Sequence, residues 1–463
     1  MPGPDQTVSL EVQIDQWRSY LLRRQAIHSV DVAELEDHLR EQVAGLVASG
    51  LASDEAFLVA VKRMGGLDAL SREFAREHSD RLWKQLVVGP ADAADPRPGS
   101  RTDAFVAFGL AVAAALAIKL PTLFGIRMDP NAELPIFYVH NMSLFVLPFL
   151  TGYFVWKRRL DVRTVGWLAA AFVAAGVLIN VYPFMSSGKA PGNTEVLAVL
   201  HLPMALWLAV GVAYAGGRWG RVDGRMDFVR FSGELFIYYA LMALGGGVIA
   251  GLTLLTFEAI GVKANFFVFT WLLPCGAVGA VLVGAWLVEA KQSVIENMAP
   301  VLTRLFTPLL AAVLVVFLGT VLWTGRAVDI QRDVLIAFDL VLALVVALLL
   351  YSISARDPLS PPGVFDGVQV ALVISALLVD AVALWAIAAR ISEFGFTPNR
   401  VAALGENAIL LVNLAWSAVL YVRLLRGRGT SAALEKWQTD YLPVYAGWAS
   451  IVVAIFPPLF GYI

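Results

Sequence analysis

From residue 103 to the end of the chain, stretches of about 20 mostly apolar residues recur with little between them. Each is long enough, as a helix, to cross the roughly 30 Å hydrocarbon core of a bilayer. The recurrence also removes the soluble alternative. Charged residues are only 16% of the chain and hydrophobic residues 58%, whereas a soluble domain carries about 25% charge. Too few polar groups are present to cover a globular surface, so lipid must serve as solvent. The expected fold is all-α: a polytopic membrane protein of about eleven transmembrane helices, with a small N-terminal soluble helical bundle. Spans are expected near 104–124, 135–156, 164–184, 196–215, 232–257, 265–288, 303–324, 334–354, 365–389, 402–424 and 441–461. Pro148, Pro203, Pro274, Pro308 and Pro457-Pro458 fall within or at the ends of these spans and predict kinks.

Residues 1–88 are different. Apolar residues there come at helical spacing among many charges, and no run is long enough to span a bilayer. Ile14, Trp17, Leu21 and Leu22 mark a first amphipathic helix over about 9–26. A second covers about 31–49, with an Asp31/Glu34 capping box, a buried stripe of Leu35, Leu39, Val43 and Leu46, and Gly50 as its stop. Ser53 caps a third, with Phe57, Ala60, Val61 and Met64 inward, and a fourth presents Leu67, Leu70, Phe74 and Leu82. No basic start with a short apolar run, as in a cleaved signal peptide, precedes them. Residues 89–102, rich in Pro, Ala, Asp and Gly, read as a linker, and 103–463 as the membrane domain.

The runs Glu34-Leu35-Glu36-Asp37-His38-Leu39-Arg40, Gly50-Leu51, Asp54-Glu55-Ala56-Phe57, Arg63-Met64-Gly65 and Glu73-Phe74 resemble, in order and spacing, the permease prefix domain of some bacterial permeases. The resemblance covers about residues 10–80. It implies a cytoplasmic accessory module that contacts a protein partner or the membrane domain, and no catalysis. With the N-terminus inside, the cytoplasmic loops hold 15 Lys and Arg and the opposite loops 7, the bias of the positive-inside rule. The expectation is a multi-pass protein of the bacterial cytoplasmic (inner) membrane, N-terminus cytoplasmic and C-terminus outside.

Ionised side chains at mid-bilayer cost roughly 2.5–3.5 kcal/mol on insertion scales, so intramembrane charges are candidate sites. Lys119, Asp339, Asp380 and Glu406 stand out, with Asp380 deepest. Gln369 shares a helix face with Asp380, and Glu406, Asn413 and Ser417 make a second polar stripe. Facing one another, these stripes would line a water-filled substrate or ion pocket open to the outside. The alternative is a structural ion pair between Lys119 and one of the acids. Gly247-xxx-Gly251 and Ala280-xxx-Gly284 are spacings that let helices approach closely.

His140 and His201 begin the second and fourth spans at similar depth; ligation of haem or a metal by them, or of a metal at His38, lacks a confirming motif. No cofactor and no metal site is expected. In the loop Arg390-Ile391-Ser392-Glu393-Phe394-Gly395-Phe396-Thr397-Pro398-Asn399-Arg400, Thr397 and Pro398 start a helix. Arg390, Glu393 and Arg400 are either a capped turn with a surface ion pair or a gate at the outer mouth of the pocket. The stretch resembles the Arg-Ile-x-Glu-(aromatic)-Gly-(apolar)-Thr-x-x-Arg signature of an uncharacterised bacterial membrane-domain family, with Phe394 in place of the commoner Tyr. That resemblance implies a fold and a location, and no reaction.

A net charge of −2 argues against nucleic acid as a partner, and a single cysteine, Cys275, excludes an internal disulfide. No phosphate-binding loop is present, so no ATPase of its own is expected, and no nucleophile-elbow or zinc-protease motif occurs. Three functions follow: a permease-like transporter using the Asp380/Glu406 region, a membrane sensor or scaffold signalling through residues 1–88, and an intramembrane enzyme acting on a lipid-linked substrate. The first is the leading expectation. Besides a protein partner at residues 1–88, the only partner implied is the lipid bilayer.

Overall fold

The computed structural model describes residues 10, 11, 14, 29–49, 51–53, 56, 57, 59, 60, 100–185, 191–290, 298–324, 332–356 and 362–463. Most of the expected first and third helices, the fourth, the side chains of Leu35 and His38, most of the linker and Lys189 lie outside the described residues. Regular structure among those described is entirely helical. The chain divides into two compact units, Met1–Pro96 and Arg97–Ile463.

In the first unit, α1 (Ser29–Ala48) starts two residues before its expected position. Leu39, Val43 and Leu46 recur every three or four residues and are buried with Ile14, Ala56, Phe57 and Ala60. On the polar side the Arg40 guanidinium binds Glu11 at 2.7 and 3.0 Å and Glu36 at 2.9 Å. The hydrogen bonds from Arg40 hold the exposed Glu11 carboxyl below its ordinary range.

The second unit contains α2 (Ser100–Ala117), α3 (Leu147–Arg158), α4 (Val162–Val181), α5 (Asn193–Ala215), α6 (Val222–Ala259) and α7 (Leu273–Ala290). It continues with α8 (Met298–Thr324), α9 (Arg332–Ser354), α10 (Val364–Phe394), α11 (Pro398–Leu425) and α12 (Ser431–Ala454). Among the described residues, 8 helices are long and apolar enough to cross a membrane. The expected second, eighth and eleventh spans are helical but fall short of that standard. The second is divided into Ile136–Asn141, a tight turn at Ser143–Phe145 and α3, with Pro148 at the start of α3. α9 opens on Arg332 and Asp333, leaving only Phe338–Ser354 apolar. α12 carries Glu435, Lys436 and Asp440 in its first turns. α6, with 38 residues, begins ten residues earlier than expected and absorbs Arg225 and Arg230 into the helix; at 1.5 Å per residue it is about 57 Å long. Pro203 and Pro308 lie inside continuous helices, while a π turn at Val268–Leu272 precedes Pro274, whose missing N–H cannot bond residue 270.

The packing is that of a protein solvated by lipid. α2 buries Ala107, Ala111 and Ala114, and turns Phe105, Phe108, Val112 and Leu116 outward. Small residues inside let backbones approach, and large ones outside meet acyl chains. Its partner α7 does the same at Gly284, where an added Cβ would stand 2.9 Å from Leu235 and Met242 side chains. Gly247 and Gly251, the other small-residue pair, face open space, so only one of the two expected close approaches is made within the chain.

Two apolar cores result. The first draws on α2–α7 and centres on Phe154, Tyr214, Phe228 and Phe231, with the Tyr214 and Phe231 rings stacked at 4.5 Å. The second draws on α8–α12 and on Met226 and Val229 of α6, with Leu342, Leu349, Val373, Ala376, Val379 and Leu414 fully enclosed. α5 against α11 and α12, and α6 against α9 and α12, join the two.

Candidate functional site

α10 organises the second core. Asp366 at its third position accepts from the Gly363 N–H at 2.8 Å, closing the first turn, and also pairs with Arg356. From there Asp366, Gln369, Val373, Ala376, Asp380, Ala383 and Ile387 are buried at alternating steps of three and four. That is the spacing of a helix seam that faces neighbours along its whole length. Asp380 is the seventeenth of 31 residues, about 24 Å from one end and 21 Å from the other. It sits mid-helix, with the small Ala376 and Ala383 one turn to either side.

Asp380 is 0% exposed, and neither carboxylate oxygen has a hydrogen-bond partner. Buried polar groups are almost always satisfied, and an isolated carboxylate is the costliest kind to leave bare. Asp339, on α9, is close enough to act electrostatically on both Asp380 and Glu406. Asn407 Nδ2 donates to Asp339 Oδ1 at 2.7 Å and to the Ala403 carbonyl at 2.8 Å. Asn407 is itself fully enclosed, and its Oδ1 is left without a partner. Asp339, Asp380 and Asn407 thus set oxygen-rich groups on three adjoining helices, with Asp380 and the Asn407 Oδ1 unpartnered.

Glu406, one residue before Asn407, points to the first core. Its Oε1 lies 2.9 Å from Nε2 of His201 on α5, and His201 Nδ1 lies 2.8 Å from the Leu197 carbonyl. His140 makes a similar contact, Nε2 to Glu195 Oε1 at 2.8 Å. The two histidines are each taken by a glutamate of their own. Among the described residues no group of three or more His, Cys, Asp or Glu side chains is arranged to hold a metal ion.

The remaining sequence candidates fall elsewhere. Asn413 and Ser417 do not face α10; with Gln438 of α12 they form an enclosed, satisfied network. Asn413 and Gln438 exchange amide hydrogen bonds at 3.1 and 3.3 Å, and Gln438 Nε2 also reaches Ser417 Oγ at 2.6 Å. The two expected stripes therefore do not line a common open pocket. Gln369 is likewise occupied, donating to Ser352 and accepting from Tyr421 at 3.1 Å. Lys119, just past the end of α2, lies over the Trp271 ring at 4.8 Å, and no described contact brings it to the acids of α9, α10 and α11. Arg400 donates to the Phe394 and Gly395 carbonyls at 3.0 and 2.8 Å, fastening the turn between α10 and α11. Gly395, at φ 75°, makes the reversal, and Thr397 is the N-cap residue, although its hydroxyl accepts no capping bond. Arg390 is half-buried and Glu393 exposed at the end of α10.

Sequence reading passed over Asn407, Gln438 and Glu195, and did not pair Glu406 with His201. An Asn in an apolar span is a usable signal for Asn407; the pairings join residues 55 and 205 positions apart and leave no local mark. No family model, curated protein or solved structure matches the chain. Fold and composition define the class, an all-α polytopic membrane protein.

Proposed function

We propose that this protein is a permease-like transporter of the bacterial inner membrane, without an ATPase of its own, that binds a proton or small cation at Asp380. The N-terminal domain lies in the cytoplasm and the C-terminus outside, as the distribution of Lys and Arg favours. One observation carries the reading: a carboxylate at the middle of a long apolar helix, fully enclosed, with both oxygens unpartnered. A proton or a small cation is the kind of partner that would satisfy such a group. The resemblance of residues 10–80 to a permease prefix domain supports the same class. Arg390 and Glu393 are the gate residues this reading retains, with Arg400 holding the turn on which they are mounted. Complete enclosure of Asp380 gives no support to an enzyme working on lipid-linked substrates, which needs a lateral opening.

The test requires no knowledge of the organic substrate. Proteoliposomes on a solid-supported membrane are stepped in pH, or separately in Na⁺, and the charge displaced by ion binding is recorded. The expected result is a transient for one of the two ions that disappears in Asp380→Asn. Transients absent for both ions, or unchanged in the variant, would overturn the proposal and favour the sensor or scaffold reading.

A further inference from the structure

We infer that His201 and Glu406 form a proton-binding site between the two helical cores, and that its proton decides whether α5 and α11 stay joined. The transporter reading of Asp380 supplies what the proton is used for; the pair itself rests on its own geometry.

His201 Nδ1 is 2.8 Å from a backbone carbonyl, which can only accept, so Nδ1 carries a hydrogen. The other nitrogen, Nε2, meets a carboxylate oxygen at 2.9 Å. That contact needs one further proton. It sits on Nε2 as imidazolium facing carboxylate, or on Oε1 as a carboxylic acid facing imidazole; either way the pair holds one proton and is neutral overall. If that proton goes to water, the products are a neutral imidazole with a bare Nε2 lone pair and a carboxylate. Two acceptors then face each other across 2.9 Å, and the contact opens.

The position suits exchange with water. Each residue is the ninth of its helix, about 12 Å from the helix start. α5 and α11 run side by side from the same end, where Asn399 donates to Asn193 at 2.7 Å. The Glu406 side chain is 32% accessible and that of His201 5%, so the glutamate is the more open member of the pair. Around the pair, α9 contributes Asp339 and α10 Asp380. α12 contributes Tyr441, which donates to the Ile409 carbonyl, and the buried Tyr445. α4 ends at Tyr182, which donates to the Ala454 carbonyl. On the pair's own helices, Glu195 is engaged with His140 and Arg400 with the turn before α11. α3 and α6 face α5 with Lys157, Arg158, Arg225 and Asp227 at the opposite end of the bundle, where α5 finishes. A charge change at Glu406 is felt by Asp339, and through Asp339 by Asp380. The proton at the interface is thereby coupled to the enclosed Asp380 carboxylate.

The test is ¹⁵N NMR of full-length protein labelled at histidine in nanodiscs from pH 5 to 9, with the His201 signal identified by its loss in His201→Gln. The His201 Nε2 signal is expected to pass from a proton-bearing to a proton-free form within the range, and that transition to move in Glu406→Gln. Cysteines at 193 and 399 in a Cys275→Ser protein should cross-link severalfold more slowly above the wild-type midpoint than below it. An Nε2 that keeps one state throughout, a midpoint indifferent to Glu406→Gln, or cross-linking indifferent to pH would overturn the inference. The wild-type titration and cross-linking decide the matter even if Glu406→Gln fails to fold. Failure here with an Asp380-dependent transient intact would remove the pair alone. A titrating pair without any transient would remove the transporter reading instead.

Discussion

Glu289 and Asp380 are both carboxylates buried in the same helical domain, and their surroundings are opposite. Glu289, at the end of α7 in the first core, has a side chain 4% exposed and accepts from Arg158 at 3.0 and 3.1 Å. It also pairs with Lys157 at 3.0 Å, while Asp103 balances that lysine at 3.3 Å. Arg158 in turn donates to the Tyr214 carbonyl at 3.1 Å. Every charge in the cluster is answered, and it ties α2, α3, α5 and α7 together. Asp380 in the second core has no hydrogen-bond partner among the described residues. A buried charge with all its partners belongs to the architecture; one with none is the feature on which the proposed ion site rests.

Substitution can break this contrast. Glu289→Gln leaves two cations facing an amide, and removing one member of a buried ionic network typically costs about 3–5 kcal/mol. A large loss of folded, monodisperse protein on size-exclusion chromatography is expected. Asp380→Asn removes a charge that nothing stabilises, so its thermal midpoint should equal or exceed that of the wild type. A fall as large as that of Glu289→Gln would show that Asp380 is structural too.

A smaller effect sharpens the comparison within the second core. Asn413→Leu strands the enclosed amide of Gln438 and should cost about 1–3 kcal/mol. The double variant with Gln438→Leu should recover part of it, because both unsatisfied partners are gone; a double-mutant cycle by thermal unfolding measures the coupling. Strict additivity would mean the amide pair is not a unit.

The smallest effect lies at a helix start. Asp161 caps α4, accepting from the Thr164 hydroxyl at 2.7 Å and its N–H at 2.9 Å, and these bonds hold its carboxyl below the ordinary range. A lowered native value means the stabilisation is present above the unfolded value of about 4 and is lost as pH falls through the native one. Asp161→Ala should lower the melting midpoint slightly at pH 7, and the difference from wild type should shrink as the pH is taken below 4.

Much of this was legible in the chain. Apolar runs located the helices because the bilayer sets their length, and Asp380 was visible as a charge where none should be. Span strength was harder to read: Pro148 divides the second segment, and early charges dilute the eighth and eleventh. A polar stripe tells which residues share a face and says nothing of what the face meets, so Asn413 looked like pocket lining and proved to be bonded to Gln438. Glu289 sat one residue beyond its expected span, next to Lys291 in what read as a basic loop. Its partners come from 131 positions away, as His201 and Glu406 meet across 205. Such pairings depend on which helices become neighbours, and helical periodicity carries no record of that.

The central claim is that Asp380, enclosed here, is reached from water in another state of the protein. In a Cys275→Ser protein, single cysteines at 380 and at 376, one turn away on the same seam with Asp380 retained, are exposed in intact cells to a membrane-impermeant thiol reagent. Position 189 serves as the loop control. Labelling at 376 or 380 is expected, slower than at 189 and accelerated or blocked by the ion that displaces charge in the wild type. No labelling at either position from either face of the membrane, in cells or inverted vesicles, with 189 labelled, would contradict it.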